Sequence, residues 1–345
     1  MDVCITASSR DDRPGVVTST TVGAVLRLPD ASASCNCNRV HCVTNHPPAA
    51  ASSQSPIGAR RRLGSELRRL RTKAGLTLDD VAERMTCSTS KISRLETGKG
   101  VPKVPDVSEL LRIYGVVSDA ERDLLMRLVH DGREHGWWET YTEGVQPERY
   151  ILDSPGRYAS LESDARAVRS FDLTIVHGLL QTEEYSRALM GSLLSHHTDD
   201  EIARLLAMRN HRQTALRREV PPPLEVTAVL DEAVLQRPLG DPGVMAAQLD
   251  RLLEDSRLPN VTIRVLPFVA GIRRAHAGHF ALLEIPRDLG SDVVYVEGHA
   301  GDTYLDAEPD VDRYREVFDD VLGHALAPDA TRELIIYYRA QHAPH

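Results

Sequence analysis

The groups best suited to bind a polyanion or read a base edge are concentrated between Arg60 and Lys103. Thr89, Ser90, Lys91 and Arg94 put two hydroxyls, an ammonium and a guanidinium within six residues. A guanidinium can donate two parallel hydrogen bonds to the major-groove edge of guanine. Hydroxyls and amines can also hold phosphate oxygens. Arg68, Thr77, Ser88, Lys99 and Lys103 flank this group with the same phosphate-binding chemistry.

The charge distribution supports this chemistry although the total opposes it. The formal charge is -9, yet residues 57–105 hold 12 Lys/Arg against 5 Asp/Glu, a net of +7. Residues 1–56 hold four of each sign, and residues 106–345 hold 25 positive against 41 negative groups, a net of -16. One basic block on an acidic body suits a chain that binds polyphosphate through a single module.

Other chemistries find little support. No G-x-S-x-G, G-x-x-x-x-G-K-[ST], H-E-x-x-H or G-x-G-x-x-G motif is present, so no enzyme activity is expected. His276, His279, His299 and Asp302 would have to be gathered by the fold to bind metal. Cys35, Cys37, His41 and Cys42 are spaced too tightly for the usual zinc pattern. No metal and no cofactor is therefore expected. Five cysteines, four of them before residue 43, make no disulfide framework. There is no apolar run of the roughly 18–20 residues a membrane span needs. The opening MDVCITASSRDDRPG is too polar for a signal peptide. A soluble, cytoplasmic protein is the expectation.

The elements that must position the basic groups follow from periodicity and caps. A helix over Arg60–Ala74 carries Leu63, Leu67 and Leu70 on one face and stops at Gly75. Thr77 is placed to cap a second helix burying Val81, Ala82 and Met85, with Asp79 and Asp80 in its dipole-favoured first turn. Ser88 caps a third helix that runs to about Thr97 and buries Ile92 and Leu95. A fourth spans about Pro105–Tyr114, and a fifth, 118–131, opens on a Ser118/Glu121 capping box. Two short helices joined by three or four residues, with small Ala82 at their crossing, have helix-turn-helix geometry. In that geometry the N-terminal face of the third helix enters the major groove. Thr89, Ser90, Lys91 and Arg94 are then the base-reading candidates, and Arg68, Thr77, Ser88, Lys99 and Lys103 the phosphate contacts.

The run LTLDDVAERMTCSTSKISRLETGK resembles the Cro/repressor class of bacterial and phage regulators over about 55 residues. The resemblance implies that Arg71, late in the first helix, pairs with Glu96 of the L-E-x-G motif as a structural pair. Two positions depart from it. Leu78 stands where relatives often carry a phosphate-touching Gln. Thr86 stands where they favour Gly, so a positive φ there would strain it.

Beyond Gly136-Trp137-Trp138, a joint where aromatic packing is expected, the body mixes periods. Helices are expected near 156–168, 181–193, 199–218, 243–257, 309–325 and 328–340. Strands are expected at 171–176, 224–230, 261–267, 279–285 and 292–297. Pro221-Pro222-Pro223 should end the long helix, and Gly271–His279 reads as a hairpin loop. The landmarks Leu161-Glu162-Ser163-Asp164-Ala165, Gly178-Leu179-Leu180-Gln181-Thr182 and Val294-Tyr295-Val296-Glu297 resemble a regulator family of filamentous high-GC bacteria. That family joins a Cro-like module to a C-terminal domain of unknown function. The resemblance implies an antitoxin-like regulator with a small protein partner encoded nearby. His177 departs from the Pro that relatives carry there.

The expected fold is an all-α helix-turn-helix head of about five helices followed by an α+β C-terminal domain. The expected divisions are a disordered extension at 1–56 (or a start of translation set too early), a DNA-binding domain at 57–131 and an acidic domain at 137–341. A single head makes few contacts, so a homodimer on double-stranded DNA is expected. The acidic domain would bind a protein partner. A sizeable apolar pocket with convergent polar groups would instead favour a small-molecule sensor, and a buried titratable cluster a catalytic body.

Overall fold

The computed structural model describes residues 55–143, 145, 155–194, 197–241, 243–287, 289–298 and 301–342. Residues 1–54 of the expected extension at 1–56, with the Cys35/Cys37/His41/Cys42 group, and His299 lie outside the described residues.

The head is built of α1 (Pro56–Lys73), α2 (Leu78–Arg84), α3 (Thr89–Glu96), α4 (Val104–Ile113) and α5 (Asp119–Asp131), followed by the short α6 (Glu139–Thr142). Its core is Leu63, Leu67, Leu70, Val81, Ile92, Leu95, Val107, Leu110, Leu111, Leu125 and Leu128, the apolar stripes of the five helices. The first helix starts four residues earlier than its periodicity suggests. Ser55 supplies the N-cap, and Pro56 fits the first turn because its missing N–H would be unpaired there anyway. Residues 55 and 56 are thus the cap and first residue of α1. Ser118 caps α5 as expected, but the reciprocal half of its box is absent. The Glu121 carboxylate instead accepts from Arg69 at 2.8 Å.

The C-terminal region contains α7 (Pro155–Asp164), β1 (Ala167–Asp172), α8 (Glu183–Leu193), α9 (Asp199–Gln213), β2 (Glu225–Asp231), α10 (Glu232–Gln236), α11 (Val244–Asp255), β3 (Val261–Leu266), β4 (Phe280–Glu284), β5 (Val293–Val296), β6 (Thr303–Leu305), α12 (Glu308–His324) and α13 (Pro328–Gln341). The strands form one sheet in the order β3-β2-β1-β4-β5-β6. The β1, β2 and β3 strands are parallel, with helices in the crossovers, while β4, β5 and β6 run antiparallel. The whole is α+β, as expected. Alternation along the strands supplies two cores. Val168, Ala228, Ile263, Leu283 and Val293 face the helices of one side. Phe171, Val229, Leu282 and Val294 face Phe318 and Val321 of α12 on the other.

Three local expectations are corrected. The first strand is Ala167–Asp172, not 171–176, and the helix before it ends at Asp164. The β-branched run after Phe171 leaves the sheet, and Val176 is buried in the connection to α8. Gly271–His279 is not a hairpin loop, because β3 and β4 are not neighbours in the sheet. The connection from β3 to β4 passes through two 3-10 turns, Phe268–Ala270 and, within this segment, Arg274–Ala277. The long helix at 199–218 ends at Gln213 and passes through a 3-10 turn before the proline run.

Trp138 is buried with Ala159 and Met208 where head and body meet, and Trp137 stacks on His211 with centroids 4.2 Å apart. A side chain at Gly156 would clash, since its Cβ would lie 2.4 Å from Trp138 Cδ1. The pair packs the joint.

Candidate DNA interface and a cavity in the C-terminal region

The placement of α3 depends on local caps. Thr77 Oγ1 accepts from the Asp80 N–H at 3.1 Å, and Asp80 Oδ2 accepts the Thr77 N–H at 2.8 Å, closing a capping box on α2. Ser88 Oγ accepts from the Lys91 N–H at 3.3 Å and starts α3. Between them Thr86 has φ 50°, the left-handed conformation that Gly would adopt without strain. Small Ala82 is buried at the crossing. Gly64 of α1 lies so close to the end of α3 that a Cβ there would be 2.5 Å from the Leu95 carbonyl oxygen.

Arg71 fixes the same corner. Its Nε and Nη2 donate to the two oxygens of Glu96 at 2.7 and 3.0 Å, and its Nη1 donates to the Leu76 carbonyl at 2.8 Å. Both side chains are largely buried, so the pair belongs to the scaffold. The hydrogen bond to Glu96 raises the Arg71 pKa against the effect of burial.

Ser90, Lys91 and Arg94 are exposed on one side of α3. The Arg94 guanidinium makes no ion pair or hydrogen bond among the described residues. Lys91 Nζ sits 2.8 Å from Asp106 Oδ2, and Thr89 is half-buried and donates to Asp79 Oδ1 at 2.9 Å. Lys91 keeps two further ammonium donors beside Asp106, and Thr89 can still accept while it donates to Asp79. Arg68, Thr77, Ser88, Lys99 and Lys103 are all exposed. Thr77 and Ser88 spend their oxygens as caps, while Lys103 precedes α4 without a side-chain cap bond.

The body holds a second candidate site, one that local sequence patterns do not reveal. A cavity of about 160 Å³ opens between the carboxyl end of β1, the start of β4, the end of β5 and the helices α8 and α9. Crevices at the carboxyl ends of parallel strands are common ligand sites. Leu189, Met190, Leu193, Leu194, Leu205 and Met208 form its apolar wall.

Its polar wall follows from register. Phe171 pairs with Phe280 and Ala281 with Tyr295, so Asp172, His279 and Glu297 fall together on one face at one end of the sheet. His279 Nε2 lies 3.4 Å from Glu297 Oε2, which raises the imidazole pKa against the effect of burial. Burial pushes the Asp172 carboxyl up to about 7, with Glu297 adding to the shift. The Ser170 hydroxyl, donating at 2.6 Å, and nearby His279 oppose it.

From α9, Arg212 donates twice to Glu162, each at 2.8 Å, and this carboxylate raises the Arg212 pKa against the effect of burial. Arg209 is different. Its Nη1 donates to Gln181 Oε1, its buried Nε has no acceptor, and no carboxylate is within ion-pairing distance among the described residues. Burial, together with Arg212, lowers its pKa to about 10. His177 stays neutral, its pKa lowered to about 3 by burial and the two arginines. Its Nε2 lies 3.3 Å from the Tyr158 hydroxyl.

A buried titratable cluster is thus present that the sequence did not display. The one local flag is a lone acid closing an apolar run, as Glu297 does after Val293–Val296. Of the described members of the proposed histidine constellation, His276 lies 3.2 Å from Asp231 and His279 3.4 Å from Glu297. No helix among the described residues is long and apolar enough to cross a membrane.

A capped two-helix corner carrying an exposed basic helix defines a helix-turn-helix protein, and residues 62–125 match the model described as a helix-turn-helix domain. Residues 155–336 match the family described as a domain of unknown function (DUF5753). That match spans more than half of the chain, so the chain belongs to this family. No curated protein and no solved structure matches it.

Proposed function

We propose that this helix-turn-helix regulator is of the Cro/repressor type and binds a specific operator through α3, with residues 57–131 as its DNA-binding domain. The observation that carries this is the free, exposed Arg94 guanidinium on a helix whose neighbouring charges, Arg71 and Glu96, are already engaged. Arg94, Ser90, Lys91 and Thr89 are the proposed base readers. Arg68, Thr77, Ser88, Lys99 and Lys103 are the proposed phosphate contacts, with Arg71 and Glu96 as support. Two copies would act together as a homodimer on cytoplasmic DNA.

Fluorescence anisotropy of the full chain on DNA upstream of its own coding sequence tests this, against a scrambled duplex and across a salt series. A preference of at least about tenfold is expected, with affinity falling steeply in salt. No preference at any salt would overturn the reading.

For the region 137–341 a small-molecule role is favoured by the apolar cavity with its convergent polar wall. The antitoxin-like reading, with a small basic protein as partner, is supported by the family resemblance and by the -16 charge of residues 106–345. In both readings the body regulates and the head binds DNA.

A further inference from the structure

We infer that the cavity takes a small amphipathic carboxylate, its acid group held by Arg209 and its apolar body by α8 and α9. This rests on the reading of the cavity as a ligand site. The charge balance of the wall points to an anion. Glu162 neutralises Arg212 through two hydrogen bonds, and His279 faces Glu297. Asp172 is pushed toward its neutral form by burial. Arg209 hydrogen-bonds only a neutral amide and keeps an unpaired Nε, while Glu297 and Glu162 act on it from beyond ion-pairing distance. A buried guanidinium without a hydrogen-bonded carboxylate is costly, and a bound carboxylate would remove that cost through a charge-assisted, two-point hydrogen bond. An amine would instead add a cation beside Arg209 and Arg212.

The apolar wall sets the rest of the ligand. Leu189, Met190, Leu193, Leu194, Leu205 and Met208 offer no hydrogen-bonding side-chain group, so the body of the ligand must be hydrocarbon. An engineered apolar cavity of about 150 Å³ holds one benzene. A cavity of about 160 Å³ with an open mouth therefore suits a chain or ring of roughly that size plus a head group. Gly178 sits against the two arginines, where a Cβ would lie 3.6 Å from Arg212 Nη2 and 3.8 Å from Arg209 Nε. A side chain at this position would pack against both guanidiniums.

Calorimetric titration of the full chain with hexanoate, 1-hexanol and hexylamine tests the proposal, with Arg209→Gln and Leu205→Trp as variants. Hexanoate should bind about tenfold tighter than hexanol, and hexylamine should not bind. Arg209→Gln should erase the advantage of hexanoate while leaving hexanol binding unchanged. Leu205→Trp should block both by filling the apolar end. A thermal melt of each variant without ligand establishes that it is folded. Hexanol binding as tightly as hexanoate to the wild type would overturn the role of Arg209 while keeping the cavity as a ligand site. No binding of any of the three would overturn the ligand-site reading and this proposal together.

Discussion

Ser55 donates both its backbone N–H and its hydroxyl to the Asp164 carboxylate, each at 2.6 Å, joining the first residue of the head to the last turn of α7. The same Ser55 oxygen caps α1 by accepting from the Gly58 N–H at 3.1 Å. The start of the DNA-binding head is thereby anchored on the C-terminal region. Arg61 adds to the anchor by reaching Asp306 at 3.6 Å, and α1 packs along α7.

Asp164→Ala should therefore loosen the joint. Two donors on Ser55 lose a largely buried acceptor, which corresponds to about 1–3 kcal/mol. A lowered urea midpoint is expected, with Asp164→Asn losing less because its amide oxygen can still accept. An unchanged midpoint in Asp164→Ala would show that the Ser55–Asp164 contact does not contribute to holding the joint.

Thr86 is exposed at φ 50°, a conformation that strains any residue with a Cβ. Thr86→Gly should stabilise the chain by about 0.5–1 kcal/mol, the relief of strain exceeding the entropy that Gly adds to the unfolded chain. The thermal midpoint reads this directly, and a fall would contradict the strain.

The position of Asp172 makes stability depend on pH. Its folded pKa is raised to about 7, chiefly by burial, whereas an unfolded aspartate titrates near about 4. Between those values the folded state keeps a proton that the unfolded state has released. Stability should therefore fall as the pH rises from about 4 to about 7. Asp172→Asn should be more stable than the wild type at pH 8, by about 2–4 kcal/mol, with the gap closing toward pH 4. Urea midpoints at the two pH values measure it, and parallel pH profiles would contradict it.

The head was legible because its signals are local. Thr77, Ser88 and Ser118 cap the helices they precede, and the apolar stripes face one core. In the body Thr182 likewise caps α8, with Glu183 and Glu184 in its first turn. What was not legible depends on contacts between distant segments. The expected first strand lies too late because Leu173 to Val176 are as β-branched and apolar as a strand, yet they form a connection in which only Val176 is buried. The short α10 and β6 are too brief to show a period. The cavity brings Asp172, Arg209, His279 and Glu297 together through strand order and register, which no local spacing encodes.

The most direct test of the central claim compares Arg94→Ala with Lys103→Ala on operator and scrambled DNA across a salt series. Arg94→Ala should cost about 1–3 kcal/mol on the operator and little on scrambled DNA. Lys103→Ala should weaken both and reduce the salt slope by about one. If Arg94→Ala instead weakens both duplexes equally, Arg94 holds phosphate and α3 is not the element that reads sequence.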